Sequence, residues 1–200
     1  MKILGVITAR AHSTRLVNKN LRKIKNKSLV EITINFTKKI EDIYDLVLTT
    51  DSRKIQNIGE NKKIKIVTKR PYGLSMNNSS SALTVIHAVK WYEKKYSTID
   101  AIALFQPTTP FRDLDFIKNC IKKFLKFRKS LISVKMPKQD SGKFQSDGSI
   151  YLISKKELFR LKSFKEDFST KVISKSKKNS IDIDSIRDLE DANKIANILC

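Results

Sequence analysis

The sequence predicts an α/β fold in which a mostly parallel sheet lies between two layers of helices. Short apolar runs alternate with longer runs whose apolar residues recur at helical spacing. Regular alternation of strands and helices is typical of parallel sheets that are covered on both faces. Length and composition agree, because a chain of 200 residues that is 40% hydrophobic can form one domain with a buried core.

The strands follow from apolar runs that end at polar or proline-containing loops, and the helices from amphipathic runs. Strands are predicted at 2–8, 45–51, 64–69, 100–108, 130–136 and 148–154. Helices are predicted at 29–40, 52–62, 80–96, 113–127 and 189–199. Asp51 is predicted to cap the second helix, and Asp113 or Asp115 the fourth. His87 lies on an apolar helix face, which favours a hydrogen-bonded core histidine.

Composition excludes several classes of protein. The formal net charge is +21, but the lysines are spread along the chain, which argues against a dedicated nucleic-acid-binding protein. No apolar run approaches the roughly 20 residues of a membrane span, and the N-terminus lacks a signal-peptide pattern, so a cytoplasmic protein is expected. Cys120 and Cys200 are predicted to be free thiols, and zinc is disfavoured because His12 and His87 are isolated.

The polar clusters fall where predicted strands end, the edge at which parallel sheets bind ligands. The loop after the first strand, "ARAHSTRLVNKN" (9–20), contains the cations Arg10, Arg15 and Lys19 beside the hydroxyls of Ser13 and Thr14. Cations with short hydroxyl donors are what a phosphate group requires. The loop lacks the glycine patterns of the P-loop and of dinucleotide sites. An ordinary solvated basic loop is the alternative.

Two carboxylates occur in "SIDIDS" (180–185) near the end of the chain. In an extended segment, Asp182 and Asp184 face the same way, while Ile181 and Ile183 face the core. Paired carboxylates opposite a cationic loop would bind Mg²⁺ together with a triphosphate. The alternative is an exposed strand edge that happens to contain two acids.

Two further loops favour ligand positioning. Pro107 and Pro110 stiffen "QPTTPFR" (106–112), where Gln106 offers both a donor and an acceptor. Arg70, followed by a proline, similarly places a cation at the end of a strand.

Taken in order, these segments resemble the acylneuraminate cytidylyltransferase family of CMP-sugar synthetases. The resemblance lies in seven motifs, "ARAHSTRLVNKN", "TTD", "KRP", "NNSSSA", "QPTTP", "DGSIY" and "SIDID", and covers nearly the whole chain. It implies a single domain over 1–200 with the Rossmann-like, three-layer α/β/α fold of the nucleotide-diphospho-sugar transferases.

The resemblance also implies an activity and a site. The family transfers CMP from CTP to the anomeric hydroxyl of a nonulosonic or octulosonic acid, with release of pyrophosphate, for surface glycan synthesis. By motif position, the nucleotide would contact Ala9, Arg10, Ser13, Arg15, Lys19, Asn20, Arg70, Ser79, Ser80 and Ser81. Gln106 would face the sugar, Asp182 and Asp184 would hold Mg²⁺, and Arg10, Lys19 and Asp184 would be the catalytic residues.

Departures from the family pattern leave two alternatives open. "STRL" resembles spore-coat polysaccharide nucleotidyltransferases, and the segment 137–147 is shorter than the family's sugar-binding and dimerisation arm, so a different acceptor is one alternative. Ala11 and His12 stand in place of glycines, and Gln145 and Asp147 replace the family's arginine and asparagine; a non-catalytic nucleotide-binding relative is the other. Asp147 is expected to place a negative charge near a sugar carboxylate, and a homodimer stays possible.

Overall fold

The sheet of this protein has β6 at its centre, with three strands on each side. The computed structural model describes residues 1–67, 70–76, 79–135, 144–164, 169–173 and 181–198. Its sheet is formed by β1 (Ile3–Thr8), β4 (Asp45–Thr49), β5 (Lys65–Val67), β6 (Ala101–Phe105), β7 (Leu131–Lys135), β8 (Gln145–Ser154) and β9 (Thr170–Ile173). A separate hairpin is formed by β2 (Lys23–Ile24) and β3 (Lys27–Ser28). The order of strands in the sheet is β5-β4-β1-β6-β8-β7-β9.

The prediction of a mostly parallel sheet is confirmed. β1 pairs in parallel with β4 and β6, β4 with β5, and β7 with β9. β8 is the exception, because it runs antiparallel to both β6 and β7. The central strands β1 and β6 are buried on both faces, which explains why their sequences are continuously apolar rather than alternating.

Helices cover both faces of the sheet, as predicted. They are α1 (Leu29–Thr37), α2 (Arg53–Asn61), α3 (Ser81–Lys95), α4 (Leu114–Phe127), α5 (Lys155–Leu161) and α6 (Ile186–Ile198). α1, α2 and α4 bury their apolar residues on one face, and α3 and α5 on the other. α6 packs against the β2–β3 hairpin. Over the described part of the chain, no helix is long and apolar enough to cross a membrane.

Several elements differ from the sequence prediction. The β2–β3 hairpin, α5 and β9 are additional, and all are too short to produce a periodic pattern. β8 begins at Gln145, so residues 145–147 belong to a strand instead of the predicted surface segment at 137–147. α6 begins at Ile186, three residues before the predicted start. Residues 137–143 and Cys200 lie outside the described residues.

Polar side chains define where several helices begin. Ser28 caps α1 in a capping box with Glu31, and Asp113 caps α4, one of the two caps predicted there. The prediction for Asp51 is wrong: Ser52 caps α2 by accepting a hydrogen bond from the backbone N–H of Ile55. The carboxylate of Asp51 is one residue too early to cap and binds elsewhere.

Candidate functional site

The polar strand ends surround a cavity of about 300 Å³ at the carboxyl ends of β1 and β6. Its walls are Thr8, Arg10, Ser13, Arg15, Lys19, Asn20, Arg70, Ser79, Ser81, Thr84, Gln106, Pro107, Thr108, Asp182 and Asp184. We call this the cationic cavity. It brings together every candidate site residue except two. Ala9 is buried beside it, where its N–H donates to the carbonyl of Thr49, and Ser80 lines an adjoining cavity.

Two hydrogen bonds hold the loop after β1, one to Asp51 outside the loop and one between the two ends of the loop. The carboxylate of Asp51 accepts a bond of 2.6 Å from the backbone N–H of Ala11. The side-chain amide of Asn20 donates to the carbonyl of Arg10 at 2.9 Å. These bonds hold the start and the end of the loop together, so that its cations face the cavity. Asp51 therefore shapes the cationic loop, a role its position at the end of β4 did not reveal.

Asp184 connects the cationic loop to the C-terminal segment. Its two carboxylate oxygens accept from Lys19 Nζ at 2.5 Å and from Arg15 Nη1 at 2.7 Å. The Lys19 side chain is 10% exposed and that of Arg15 is 70% exposed. Because exposed ion pairs contribute little, the pair with Lys19 is the stronger of the two. The solvated-loop alternative does not describe Lys19, whose ammonium group is largely removed from water.

The segment containing Asp182 and Asp184 has no regular secondary structure and lies outside the sheet. Ile183 is fully buried in the cluster beneath α6, and its N–H donates to the carbonyl of Thr108. The predicted alternation is present, since both carboxylates line the cationic cavity. Oδ1 of Asp182 is buried without a hydrogen-bond partner among the described residues, although a buried oxygen of this kind usually has one.

Arg70 organises the segment that follows β5. Its guanidinium donates to the carbonyl of Leu74, which also accepts from the hydroxyls of Ser79 and Thr84. Arg10 donates to the carbonyl of Met76 at 3.0 Å, so two cavity cations hold this segment. Nη1 of Arg70 is buried and has no partner within the described ranges. Burial lowers the pKa of Arg70, which a nearby anion would counteract.

A second cavity, of about 250 Å³, adjoins the first and shares Ser81 and Gln106 with it. Its other walls are Ser80, Ala82, Leu104, Tyr151, Ser163 and Phe164. We call it the aromatic cavity, since the Tyr151 and Phe164 rings lie with centroids 5.6 Å apart. Tyr151 Oη donates to Oε1 of Gln106 at 3.5 Å. The sequence analysis predicted neither ring as a site residue. The motif "DGSIY" could have indicated Tyr151, whereas Phe164 follows α5, a helix that was not predicted.

The expectation for Asp147 is wrong. The residue is fully buried beneath the site and lines neither cavity. Its Oδ1 accepts from Ser133 Oγ at 2.5 Å and from the N–H of Ser149 at 2.8 Å. The charge of Asp147 therefore faces the protein interior rather than an acceptor.

Neither histidine joins the site. His87 is half-buried, and its Nδ1 has no hydrogen-bond partner in the described part of the chain, so the predicted core hydrogen bond is wrong. Burial lowers the pKa of His87, and the charge of Arg70 lowers it further. His12 is exposed and is not among the residues that line the cationic cavity.

The fold and the site together define a class. A mostly parallel sheet whose strand ends bring cations together opposite two carboxylates is suited to binding the phosphates of a nucleotide. Residues 4–178 match the sequence profile of the cytidylyltransferase family, and the chain belongs to that family.

Curated relatives and a solved structure agree with this assignment. The chain is 27% identical to the CMP-N,N'-diacetyllegionaminic acid synthase of Legionella pneumophila, over 92% of each chain. It is also 27% identical to the N-acylneuraminate cytidylyltransferase of Escherichia coli, over 94% of this chain but 51% of that protein. A CMP:2-keto-3-deoxy-manno-octonic acid synthetase complexed with CTP has the same fold, with a TM-score of 0.75 at 12% identity and full coverage of both chains.

Proposed function

We propose that this protein transfers CMP from CTP to the anomeric hydroxyl of an acidic sugar and releases pyrophosphate. The observation that carries the proposal is the pair of adjoining cavities. One is lined by cations and two carboxylates, the other by aromatic rings and hydroxyls, and Ser81 and Gln106 belong to both. A nucleotide in the first and a sugar in the second would meet at these two residues.

The cations of the first cavity would bind the triphosphate. Arg10 and Lys19 of the loop after β1 and Arg70 of the segment after β5 converge on one space. Ser13 and Ser81 add short donors there. Phosphoryl transfer depends mainly on positioning and charge neutralisation, so such a cavity supplies most of what attack at the α-phosphorus needs. Lys19 is the cation best suited to the reacting phosphate, because its charge is already largely shielded from water.

Asp182 and Asp184 fit a magnesium ion. Both offer the hard oxygen ligands that Mg²⁺ prefers, and Oδ1 of Asp182 lacks a hydrogen-bond partner within the described residues. The described residues contain no group of three potential ligand side chains, so phosphate oxygens and water would complete the coordination. When bound, Mg²⁺ would neutralise charge on the triphosphate. Asp184 forms ion pairs with Lys19 and Arg15, and a triphosphate would draw those cations away.

The acceptor would bind in the aromatic cavity. Tyr151 and Phe164 offer apolar surface to a sugar ring, and the serines offer hydrogen bonds to its hydroxyls. Asp147 does not oppose an acidic sugar, because it is buried away from this cavity. The curated relatives named above make CMP-activated acidic sugars, and their similarity supports the same substrate class here.

A pyrophosphate-release assay tests the proposal. Purified protein would be incubated with Mg²⁺, CTP and, in turn, N-acetylneuraminic, legionaminic, pseudaminic and 3-deoxy-octulosonic acids. We expect CTP-dependent release with at least one of them, and loss of release when ATP replaces CTP. Folded protein that releases no pyrophosphate with any of the four acids would exclude the proposal.

The shortened segment near 137–147 and "STRL" keep a second acceptor class in the test. Release with a sugar phosphate or a non-sugar alcohol, and not with an acidic sugar, would identify a nucleotidyltransferase with a different acceptor. Tight CTP binding by calorimetry without Mg²⁺, and without turnover, would identify a non-catalytic relative. The predicted cytoplasmic location and homodimer belong to the same proposal; cell fractionation and light scattering test them.

A further inference from the structure

One arginine joins β6 to β8 directly below the two cavities. The last backbone pair of these strands is Leu104 with Tyr151, and the same register places Gln106 opposite Ser149. At that position the side chain of Arg112 bridges the two strands in place of a direct backbone pair. Its Nη2 donates to the carbonyl of Gln106 at 2.5 Å and its Nε to the carbonyl of Ser149 at 3.0 Å. A planar guanidinium holds its Nε and Nη2 donors side by side in a fixed geometry, whereas a lysine ammonium donates from a single nitrogen at the end of a flexible stem.

The guanidinium of Arg112 is itself held in place. It lies 5.9 Å from the centroid of the Phe36 ring and 5.8 Å from that of Phe105. Its Nη1 donates to the buried hydroxyl of Thr33 at 3.4 Å. Burial lowers the pKa of Arg112, and the charge of Asp147 opposes that effect. The cation therefore has three hydrogen-bond acceptors, two aromatic neighbours and a nearby negative charge.

Asp147 fixes the β8 side of the same junction. Oδ1 of Asp147 accepts from the N–H of Ser149, so Ser149 is bonded through its N–H to Asp147 and through its carbonyl to Arg112. The backbone carbonyl of Asp147 accepts from Oγ1 of Thr109 at 2.9 Å, which ties β8 to the loop after β6. The arrangement is fully buried at Asp147, Ser149 and Thr109.

Gly148 of β8 lies against the side chain of Gln106, so the position of β8 affects that of Gln106. It has a φ of +76°, and a Cβ there would lie 3.0 Å from Oε1 of Gln106 and 2.5 Å from Oγ1 of Thr109. The Gln106 side chain thus packs against the bare face of Gly148. Because Gln106 lines both cavities, a small shift of β8 would move the amide that lies between nucleotide and acceptor.

We propose that Arg112 and Asp147 are positioning residues that hold the Gln106 amide toward the acceptor and so set acceptor binding without contacting either substrate. The inference rests on the proposed function. Neither residue is among those lining the cationic or aromatic cavity. A glutamine held in one rotamer before binding loses less conformational freedom when the acceptor binds, which increases affinity. CTP binding depends on cations of other loops and is unaffected.

Arg112→Lys tests the inference, because it keeps the charge and removes the planar pair of donors that bridges the two carbonyls. We expect the KM for the acidic sugar to rise about tenfold, the loss expected for one charge-assisted hydrogen bond, while the KM for CTP changes less than about twofold. Thr109→Val, which removes the bond to the Asp147 carbonyl with little change of shape, should raise the acceptor KM about threefold. Arg53→Lys, in an exposed pair with Glu60, is the matched control and should change neither KM.

Nuclear magnetic resonance of the Gln106 side-chain amide gives a readout independent of turnover. In Arg112→Lys we expect its order parameter to fall while those of the β1 backbone stay unchanged. Equal rises of both KM values, or an unchanged acceptor KM, would overturn the inference. If the wild-type protein turns over no acidic sugar, the proposed function has failed. The resonance experiment then decides alone. A Gln106 side-chain amide that is as ordered in the Arg112→Lys and Thr109→Val variants as in the wild-type protein refutes the positioning role.

Discussion

Replacing Asp184 with alanine separates its proposed metal-binding role from its role as a partner of cations. The substitution removes the acceptor of Lys19 at 2.5 Å and of Arg15 at 2.7 Å. The Arg15 side chain is 70% exposed, so that pair contributes at most about 1 kcal/mol. The Lys19 bond joins a side chain that is 10% exposed to one that is 35% exposed, and such a charged hydrogen bond contributes about 1.5 kcal/mol.

These magnitudes predict opposite effects on binding and on turnover. Without Mg²⁺, a triphosphate must compete with Asp184 for Lys19, so removing the carboxylate should tighten CTP binding about tenfold, since about 1.4 kcal/mol is a factor of ten. With Mg²⁺, the variant would lose a metal ligand, and kcat should fall about a thousandfold.

Isothermal calorimetry in chelator and a pyrophosphate-release assay in Mg²⁺ measure the two quantities. Asp191→Ala is the matched control, because it breaks an exposed pair with Lys194 by the same substitution and should change neither. Circular dichroism establishes that both variants are folded. Unchanged kcat in Asp184→Ala would refute the metal assignment, and weaker Mg²⁺-free CTP binding would refute the competition for Lys19.

Three further predictions concern groups around the sheet. Gly148→Ala should lower the free energy of unfolding by about 2 kcal/mol and weaken acceptor binding, because the new Cβ would lie 2.5 Å from Oγ1 of Thr109 at a φ of +76°. Urea unfolding and the acceptor KM measure these effects, and wild-type values for both would contradict the prediction. Burial and a hydrogen bond to Asp45 raise the pKa of Tyr92 to about 12, so as pH rises the unfolded chain loses this proton before the folded chain does. The stability that Tyr92 contributes below about pH 10 is therefore lost as pH rises through 12. Tyr92→Phe should flatten that part of a stability–pH curve. Burial raises the pKa of the Cys120 thiol to about 12, so in a Cys200→Ser background alkylation should require unfolding, and rapid alkylation of the folded chain would disprove it.

Much of the fold followed from local pattern. β1 and β6 are buried on both faces, so their sequences are continuously apolar. α4 is buried on one face, so its apolar residues recur at helical spacing. The direction of β8 could not be predicted from the sequence, because an apolar run has the same composition whether its strand is parallel or antiparallel to its neighbours. α5 was not predicted because Leu158 is its one buried residue, and a single buried residue produces no helical apolar pattern.

The sequence by itself determined which chemistry lies at the strand ends: cations after β1 and β5, an amide after β6, and two carboxylates alternating with Ile181 and Ile183. These are local properties of each loop. The tertiary structure alone decided which groups meet. Lys19 and Asp184 are 165 positions apart, and whether they pair depends on the order of strands between them.

The same reason explains Asp147 and Arg112. From sequence, Asp147 was expected to lie near the acceptor, and no role was predicted for Arg112. The burial of Asp147 within β8 depends on how that strand pairs with its neighbours, and so does the bridge that Arg112 makes between Gln106 and Ser149. Register is fixed by the packing of a whole face, which no single segment of the sequence contains.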